Sequence, residues 1–220
     1  RYAEMARLAA AIGAQRAATG HNRNDQAETV LMRLLRGSGT TGLAGIPPVR
    51  WEDGFFIIRP LLDCSRKEIL EYCRTHGLKP RLDASNLESG FTRNRIRLEL
   101  LPALTERFGE AVVDNLAQAA EVLREEDRLL AELARAACAR CGWQEVGEEP
   151  GNLVIELDGP RLMQEPPALA RRVVRMAVQR VSGSPYGPGL AAVSRALELA
   201  GRTDGTHELD LPQGVRLSVA

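Results

Sequence analysis

The stretch that most constrains the fold is Thr19–Arg36, TGHNRNDQAETVLMRLLR. It begins where a short apolar run, Ala17-Ala18, stops, and it turns at Gly20. Val30, Leu31, Leu34 and Leu35 then recur at helical spacing, and Gly37 supplies a stop. Asp25 and Glu28 stand three apart, as an N-cap and its reciprocal partner do in a capping box, so the spacing predicts a helix that opens at Asp25. Strand, turn and helix in this order place His21 and Asp25 in the crevice beyond a strand's carboxyl end, beside a helix N-terminus. In open α/β sheets that crevice is where anionic ligands bind. An ordinary β–α turn with Asp25 as a structural cap has the same spacing, and spacing leaves both readings open.

Composition sets the outer bounds. With 220 residues, 44% of them hydrophobic, the chain can build one large domain or two small ones. No run approaches the ~20 apolar residues of a membrane span, and the charged start reads as mid-helix, not as a signal peptide. Net charge is zero, which argues against a uniformly basic nucleic-acid binder. The charge is nevertheless segregated. Residues 1–105 carry 16 basic and 11 acidic side chains, residues 106–150 carry 5 and 11, and residues 151–220 carry 8 and 7. Positive potential therefore gathers in the first part and, locally, on Arg171–Arg180. Nearly all of it is arginine, whose planar fork suits phosphates and bases. Cys138 and Cys141 have metal-ligand spacing but fall within a predicted long helix, without a second close pair or a nearby His. They and Cys64 and Cys73 are expected as reduced thiols.

Along the chain, Arg1–Ile12 reads as a helix with Met5, Leu8, Ala9 and Ile12 on one face, and Arg16–Thr19 as a short strand. Gly37–Val49 holds Gly37, Gly39, Gly42 and Gly45 ahead of Pro47-Pro48. It is either a flexible connection or a loop whose open N–H groups let phosphate or RNA backbone approach. Phe55–Ile58 reads as a buried strand running into Arg59-Pro60. An arginine there is costly to bury without an anion, either a ligand or a carboxylate such as Asp63. Ser65 and Glu68 form a second capping box, for a helix that ends near His76-Gly77. Arg93, Arg95 and Arg97 crowd three charges into five residues; a helix puts Arg93 and Arg97 on one face, a strand all three. Beyond Pro102 a long amphipathic helix is predicted from Ala111 to Cys141. Its seam is Val112, Leu116, Ala119, Leu123, Leu130, Ala134 and Ala137, interrupted at Asp127. Glu145–Asn152 reads as a loop and Leu153–Leu157 as a strand. Ala168–Val181 and Leu190–Ala200 read as helices, and His207–Leu211 with Val215–Val219 as a strand pair.

Several motifs in series carry a family resemblance. They are His21-Asn-Arg-Asn-Asp25-Gln26-Ala-Glu28-Thr29, Arg33-Leu-Leu-Arg36-Gly37-Ser-Gly39, Gly42-Leu-Ala-Gly45, Arg59-Pro60-Leu61-Leu62, Asp83-Ala-Ser85-Asn86 and Arg93-Asn94-Arg95-Ile96-Arg97. Together they resemble the bacterial tRNA(Ile)-lysidine synthase family, of the PP-loop ATP pyrophosphatase superfamily. The resemblance implies an α/β fold class with an incomplete Rossmann-like (adenine nucleotide alpha hydrolase-like) PP-loop domain over residues 1–105. A connecting long helix over 106–150 and a small α+β tRNA-binding domain over 151–220 would follow. It implies ATP and Mg2+ as cofactors, CAU-anticodon tRNA(Ile) and L-lysine as partners, and a cytoplasmic location; a homodimer stays open.

Family members adenylate O2 of the wobble cytidine, and the amino group of lysine then displaces AMP at C2. By resemblance, Asp25, His21 and Arg59 are the catalytic candidates. Arg1, His21, Asp25 and Arg59 would hold ATP, with Asp25 the magnesium ligand, while Arg33, Arg36, Arg93, Arg95 and Arg97 would contact RNA. There are two departures. Asn22 and Asn24 stand where many relatives have His and Asp, and the SGGxDS phosphate loop that starts this fold is absent from the 220 residues. The expectation is a fragment of a longer enzyme, inactive in adenylation by itself. The alternatives are a tRNA-binding piece without nucleotide chemistry, and a tRNA thiolation enzyme of the same superfamily. Thiolation enzymes add cysteines beside the ATP domain in an arrangement that Cys64 and Cys73 lack.

Overall fold

Arg16–Ala18 (β1) and Phe55–Ile58 (β3) pair in parallel with Ala18 opposite Ile58, and Val49–Glu52 (β2) adds antiparallel to β3, giving the order β1-β3-β2. This small sheet is the frame of the first of two compact units, Arg1–Asp127 and Arg128–Ala220. The computed structural model describes residues 2–52, 54–80, 92–147, 153–202 and 204–219. Arg1 and the Asp83-Ala-Ser85-Asn86 motif, both expected near the site, lie outside the described residues.

In the first unit, helix α1 (Tyr2–Ile12) carries Met5 and Ala9 one turn apart and lays them on Phe55 and Ile57 of the sheet. The strand expected to be buried at Phe55–Ile58 is buried on one face. Phe55 and Ile57 are buried, but Phe56 points the other way and meets Trp51 edge to face, with ring centroids 4.8 Å apart. From β1 the chain passes into α2 (Arg23–Leu35), then into a single turn, α3 (Thr40–Leu43), inside the glycine-rich connection. α4 (Arg66–Thr75) opens on Ser65, with Glu68 as its reciprocal partner, as the capping box predicts. α5 (Thr92–Arg95) continues through a π-helical turn, Ile96–Leu100, into α6 (Leu101–Phe108). Ile96 and Leu101 pack on Ala27 and Leu31 of α2, so this helical run is pressed flat against α2.

Helix α7 (Ala111–Arg140) runs unbroken over the predicted span, through the polar Asp127 that interrupts its apolar seam. Asp127 Oδ1 accepts a hydrogen bond from Thr41 at 2.7 Å. Val112, Val113 and Leu116 join the core of the first unit, whereas Leu130, Ala134 and Ala137 join that of the second. Ala119, placed on the seam by periodicity, is exposed, and the neighbouring Ala120 is buried.

The second unit contains the β4–β5 hairpin (Gln144–Val146 with Val154–Glu156), helices α8 (Gly159–Gln164), α9 (Pro167–Ser182) and α10 (Leu190–Ala200), and the β6–β7 hairpin (His207–Leu211 with Val215–Val219). Strand β4 occupies part of the segment expected as loop; three residues are too few to show an alternating pattern of their own. Val173 and Val178 of α9, Val193 and Ala196 of α10, and Cys138 and Cys141 make its core. Among the described residues no helix is long and apolar enough to cross a membrane. The expected α/β first part, long helix and small α+β unit are all present.

Candidate active site

The carboxyl edge of the parallel β1/β3 pair carries Thr19, His21 and Arg59. Thr19 N–H extends the ladder to Ile58 O at 3.0 Å, and its hydroxyl lies 2.8 Å from His21 Nδ1. Arg59 directly follows β3 and is 5% exposed. Its backbone N–H donates to Pro48 O and its Nη1 donates to Pro47 O at 2.6 Å. Its Nε is buried without a partner, and among the described residues no carboxylate lies within ion-pair distance of this guanidinium. The salt bridge to Asp63 that the sequence left open is therefore not made. A buried cation with an unmatched N–H is costly. At the carboxyl end of a strand it is a ready partner for an anionic ligand.

The mouth of α2 is closed differently from the expectation. The N-cap is Asn22, not Asp25, and α2 starts at Arg23. Asn22 Oδ1 accepts the N–H groups of Asn24 and Asp25 at 3.0 and 3.1 Å, while Asp25 Oδ2 accepts the Asn22 N–H at 3.0 Å. Arg23 N–H goes to Cys64 O and Gln26 N–H to Asn22 O. The first four donors of the helix are thus satisfied by the chain itself, and they offer no open cradle to a phosphate. Asn24 Oδ1 accepts the N–H of Arg66 at 2.8 Å, tying α2 to the start of α4. Both asparagines that depart from the family pattern have structural work here.

Asp25 and Glu28, one helical turn apart, face Arg93 and Arg97, also one turn apart on the α5–π-turn run. Arg93 Nε donates to Glu28 Oε2 and its Nη2 to Asp25 Oδ1, both at 3.0 Å. Arg97 donates to Glu28 at 2.6 and 2.9 Å and to Asp25 Oδ1 at 2.9 Å. Two carboxylates meet two guanidinium groups, so the cluster is neutral. Glu28 is 2% exposed and Asp25 9%. Hydrogen bonds donated by Arg97 to Glu28 hold the Arg97 pKa above its ordinary value, with the Glu28 and Asp25 charges adding to the effect against partial burial. Asp25 is therefore together with Arg93 and Arg97, whereas Arg59 makes no bond to any of them.

The other RNA candidates separate by environment. Arg33 Nη1 donates to Gly42 O at 2.6 Å and Gly45 O at 2.9 Å, which turns the glycine-rich segment back on α2. Gln26 completes the clasp: its Oε1 accepts the Ile46 N–H at 2.6 Å and its Nε2 donates to Ile46 O at 3.2 Å. The segment is pinned, not slack. Arg36 and Arg95 are exposed. Beside Gln26, a polar cavity of about 450 Å³ is lined by Arg23, Asp63, Asp114, Glu121 and Arg124.

Sequence reasoning missed Asn22, Gln26 and the ionic role of Glu28. Asn22 was legible, because Asn22 and Asp25 have capping-box spacing as well; the clasp and the cluster had no local signal. Asp25 as held here does not fit a magnesium ligand. Its Oδ1 already receives two guanidinium donors and its Oδ2 a backbone N–H.

Comparison with known proteins agrees with this layout. Residues 1–104 match the PP-loop domain, an ATP-using domain, and residues 157–219 match the TilS substrate binding domain. The chain is 81% identical over 220 residues to a tRNA(Ile)-lysidine synthase of Symbiobacterium thermophilum, covering 100% of this chain and 46% of that protein. It is 41% identical over 203 residues to one of Solibacter usitatus (92% of this chain, 44% of the relative) and 34% over 217 residues to one of Clostridioides difficile (98% and 45%). The chain spans about half the length of these relatives. With both domain matches in order and an 81% match along every residue, the chain belongs to the tRNA(Ile)-lysidine synthase family.

Proposed function

We propose that this chain is the ATP- and tRNA-handling part of a ligase that converts the wobble cytidine of CAU-anticodon tRNA(Ile) to lysidine in the cytoplasm. Cytidine O2 attacks the α-phosphate of ATP and pyrophosphate leaves. The amino nitrogen of L-lysine then bonds to C2, sheds its proton, and AMP departs with O2. Negative charge grows on the phosphates in the first step, and fixed donors aimed at such charge are worth most where water is excluded. Arg59 and His21, at the carboxyl edge of the sheet, are assigned that work. The observation that carries the reading is the Arg59 Nε, buried and unpartnered at the place where α/β sheets take their ligands.

Asp25 is assigned to position Arg93 and Arg97, and Arg33 to position the glycine-rich segment; exposed Arg36 and Arg95 are assigned to RNA phosphate. Magnesium enters only as the ion that accompanies ATP phosphates, which it binds largely through the phosphates and water. No step is assigned to it here. The test is Arg59→Gln in a lysidine synthase carrying this sequence, with incorporation of labelled lysine into a CAU tRNA(Ile) transcript as the readout. Loss of one such donor lowers turnover about 10²–10³-fold, with tRNA affinity retained. Undiminished lysidine formation would overturn the assignment.

A further inference from the structure

Within the second unit, residues of α7 and α9 with Trp143 and Glu145 line a shallow, open hollow of about 670 Å³. Its lining is mostly apolar, with buried Cys138 and half-buried Met176 beside Trp143, and includes Glu145 and the arginines Arg135 and Arg180. The Trp143 indole Nε1 donates to Glu145 Oε1 at 3.3 Å, and Glu145 also accepts from Arg180 at 2.7 to 3.1 Å. That chain of contacts holds the ring in place and neutralises Arg180. Arg135 is exposed and makes no hydrogen bond or ion pair with the described residues, so the lining keeps one unmatched positive charge. Gln179 also reaches the hollow; its Nε2 is fixed on Pro185 O at 2.8 Å, which leaves its amide oxygen to accept.

A shallow apolar seat beside an indole, an amide acceptor and an unmatched guanidinium has the chemistry of a site for an unpaired nucleotide. The base stacks on the indole, its edge donates to an amide oxygen, and its phosphate meets a guanidinium. A protein partner would ask for a broader apolar face and no unmatched cation. We infer that the hollow around Trp143 seats one unstacked nucleobase of the tRNA, an inference that rests on the proposed action on tRNA. α9, which supplies Met176, Gln179 and Arg180, lies in the substrate-binding segment.

The chain has two tryptophans, Trp51 and Trp143, so Trp51→Phe leaves Trp143 as the single indole emitter. Titration of that variant with a CAU tRNA(Ile) transcript is expected to quench its emission along the binding curve. Trp143→Leu is expected to weaken binding about 5- to 100-fold, the worth of one base–aromatic stack. Arg135→Gln, at an exposed position that folding does not use, is expected to weaken binding and flatten the salt dependence by about one phosphate contact. Binding with unchanged Trp143 emission and an unaltered Arg135→Gln affinity overturns this site and leaves the proposed function standing. No binding of tRNA at all overturns both. An emission shift that follows protein concentration without RNA assigns the hollow to a protein partner and overturns the inference.

Discussion

Glu28→Gln removes one charge from the four-membered cluster and nearly nothing from its shape. Glu28 is 2% exposed and accepts three N–H groups, from Arg93 Nε at 3.0 Å and from Arg97 at 2.6 and 2.9 Å. In the variant an amide NH₂ replaces one of the accepting oxygens and faces guanidinium donors, while the charge balance shifts to two cations against Asp25. Breaking a buried pair from one side typically costs about 3–5 kcal/mol. The Arg93 and Arg97 side chains are 38% and 21% exposed and can turn partly toward water, which trims the cost to roughly 2–3 kcal/mol. For a chain of this size that corresponds to a Tm lower by about 4–12 °C. Thermal and urea unfolding followed by circular dichroism measure the change. A cycle with Arg97→Met then isolates the pair, because the double variant should lose at least ~1 kcal/mol less than the sum of the singles. A Tm within 1 °C of the parent (roughly the precision of the measurement), or strictly additive singles, would refute the view that Glu28 is held by these arginines.

Two further outcomes are expected. Gly45→Ala sets a Cβ 2.6 Å from Gln26 Oε1 on a backbone at φ +66°, and should cost ~2 kcal/mol or more through left-handed strain and a broken clasp. Amide exchange at Ile46, whose N–H the clasp holds, should accelerate, and an unchanged rate would mean that the clasp does not persist in solution. Burial raises the thiol pKa of both Cys138 and Cys141, so at pH 8 fewer are thiolates and they should react with a thiol reagent far more slowly than half-buried Cys64 and Cys73. Raising the pH should speed the slow pair; four equal rates at pH 8 would contradict this.

Much of the site was legible because its signals are local. Arg59 stands out as a cation directly after four apolar residues and before a proline, and the structure buries it at the strand end. The helix spacing that put Arg93 and Arg97 on one face proved to be their geometry, with Arg95 turned out to solvent. The α2 cap is instructive for the opposite reason. Asn22-x-x-Asp25 and Asp25-x-x-Glu28 are overlapping boxes of equal local quality, and nothing within the segment chooses between them. Starting the helix three residues earlier frees Glu28 for Arg93 and Arg97 and sets Gln26 against Ile46. These contacts span 65, 69 and 20 residues, and together they outweigh one cap, which is worth only about 1 kcal/mol.

The amino-acid order by itself determined the longer helices, the buried β3 segment, the second capping box and most of the glycine stops, and that a PP-loop family motif series lies in the first half. Those properties follow from periodicity, caps and glycine stops, each decided within a few residues. Tertiary structure alone decided what the charged side chains do. It turned Asp25 from an expected metal ligand into the counter-ion of two arginines, fastened Arg33 to its own backbone, and left Arg59 with an unmatched donor. Charge and hydrogen-bond partners are chosen by proximity in space, and in this chain that proximity is created by pressing Ile96 and Leu101 onto Ala27 and Leu31.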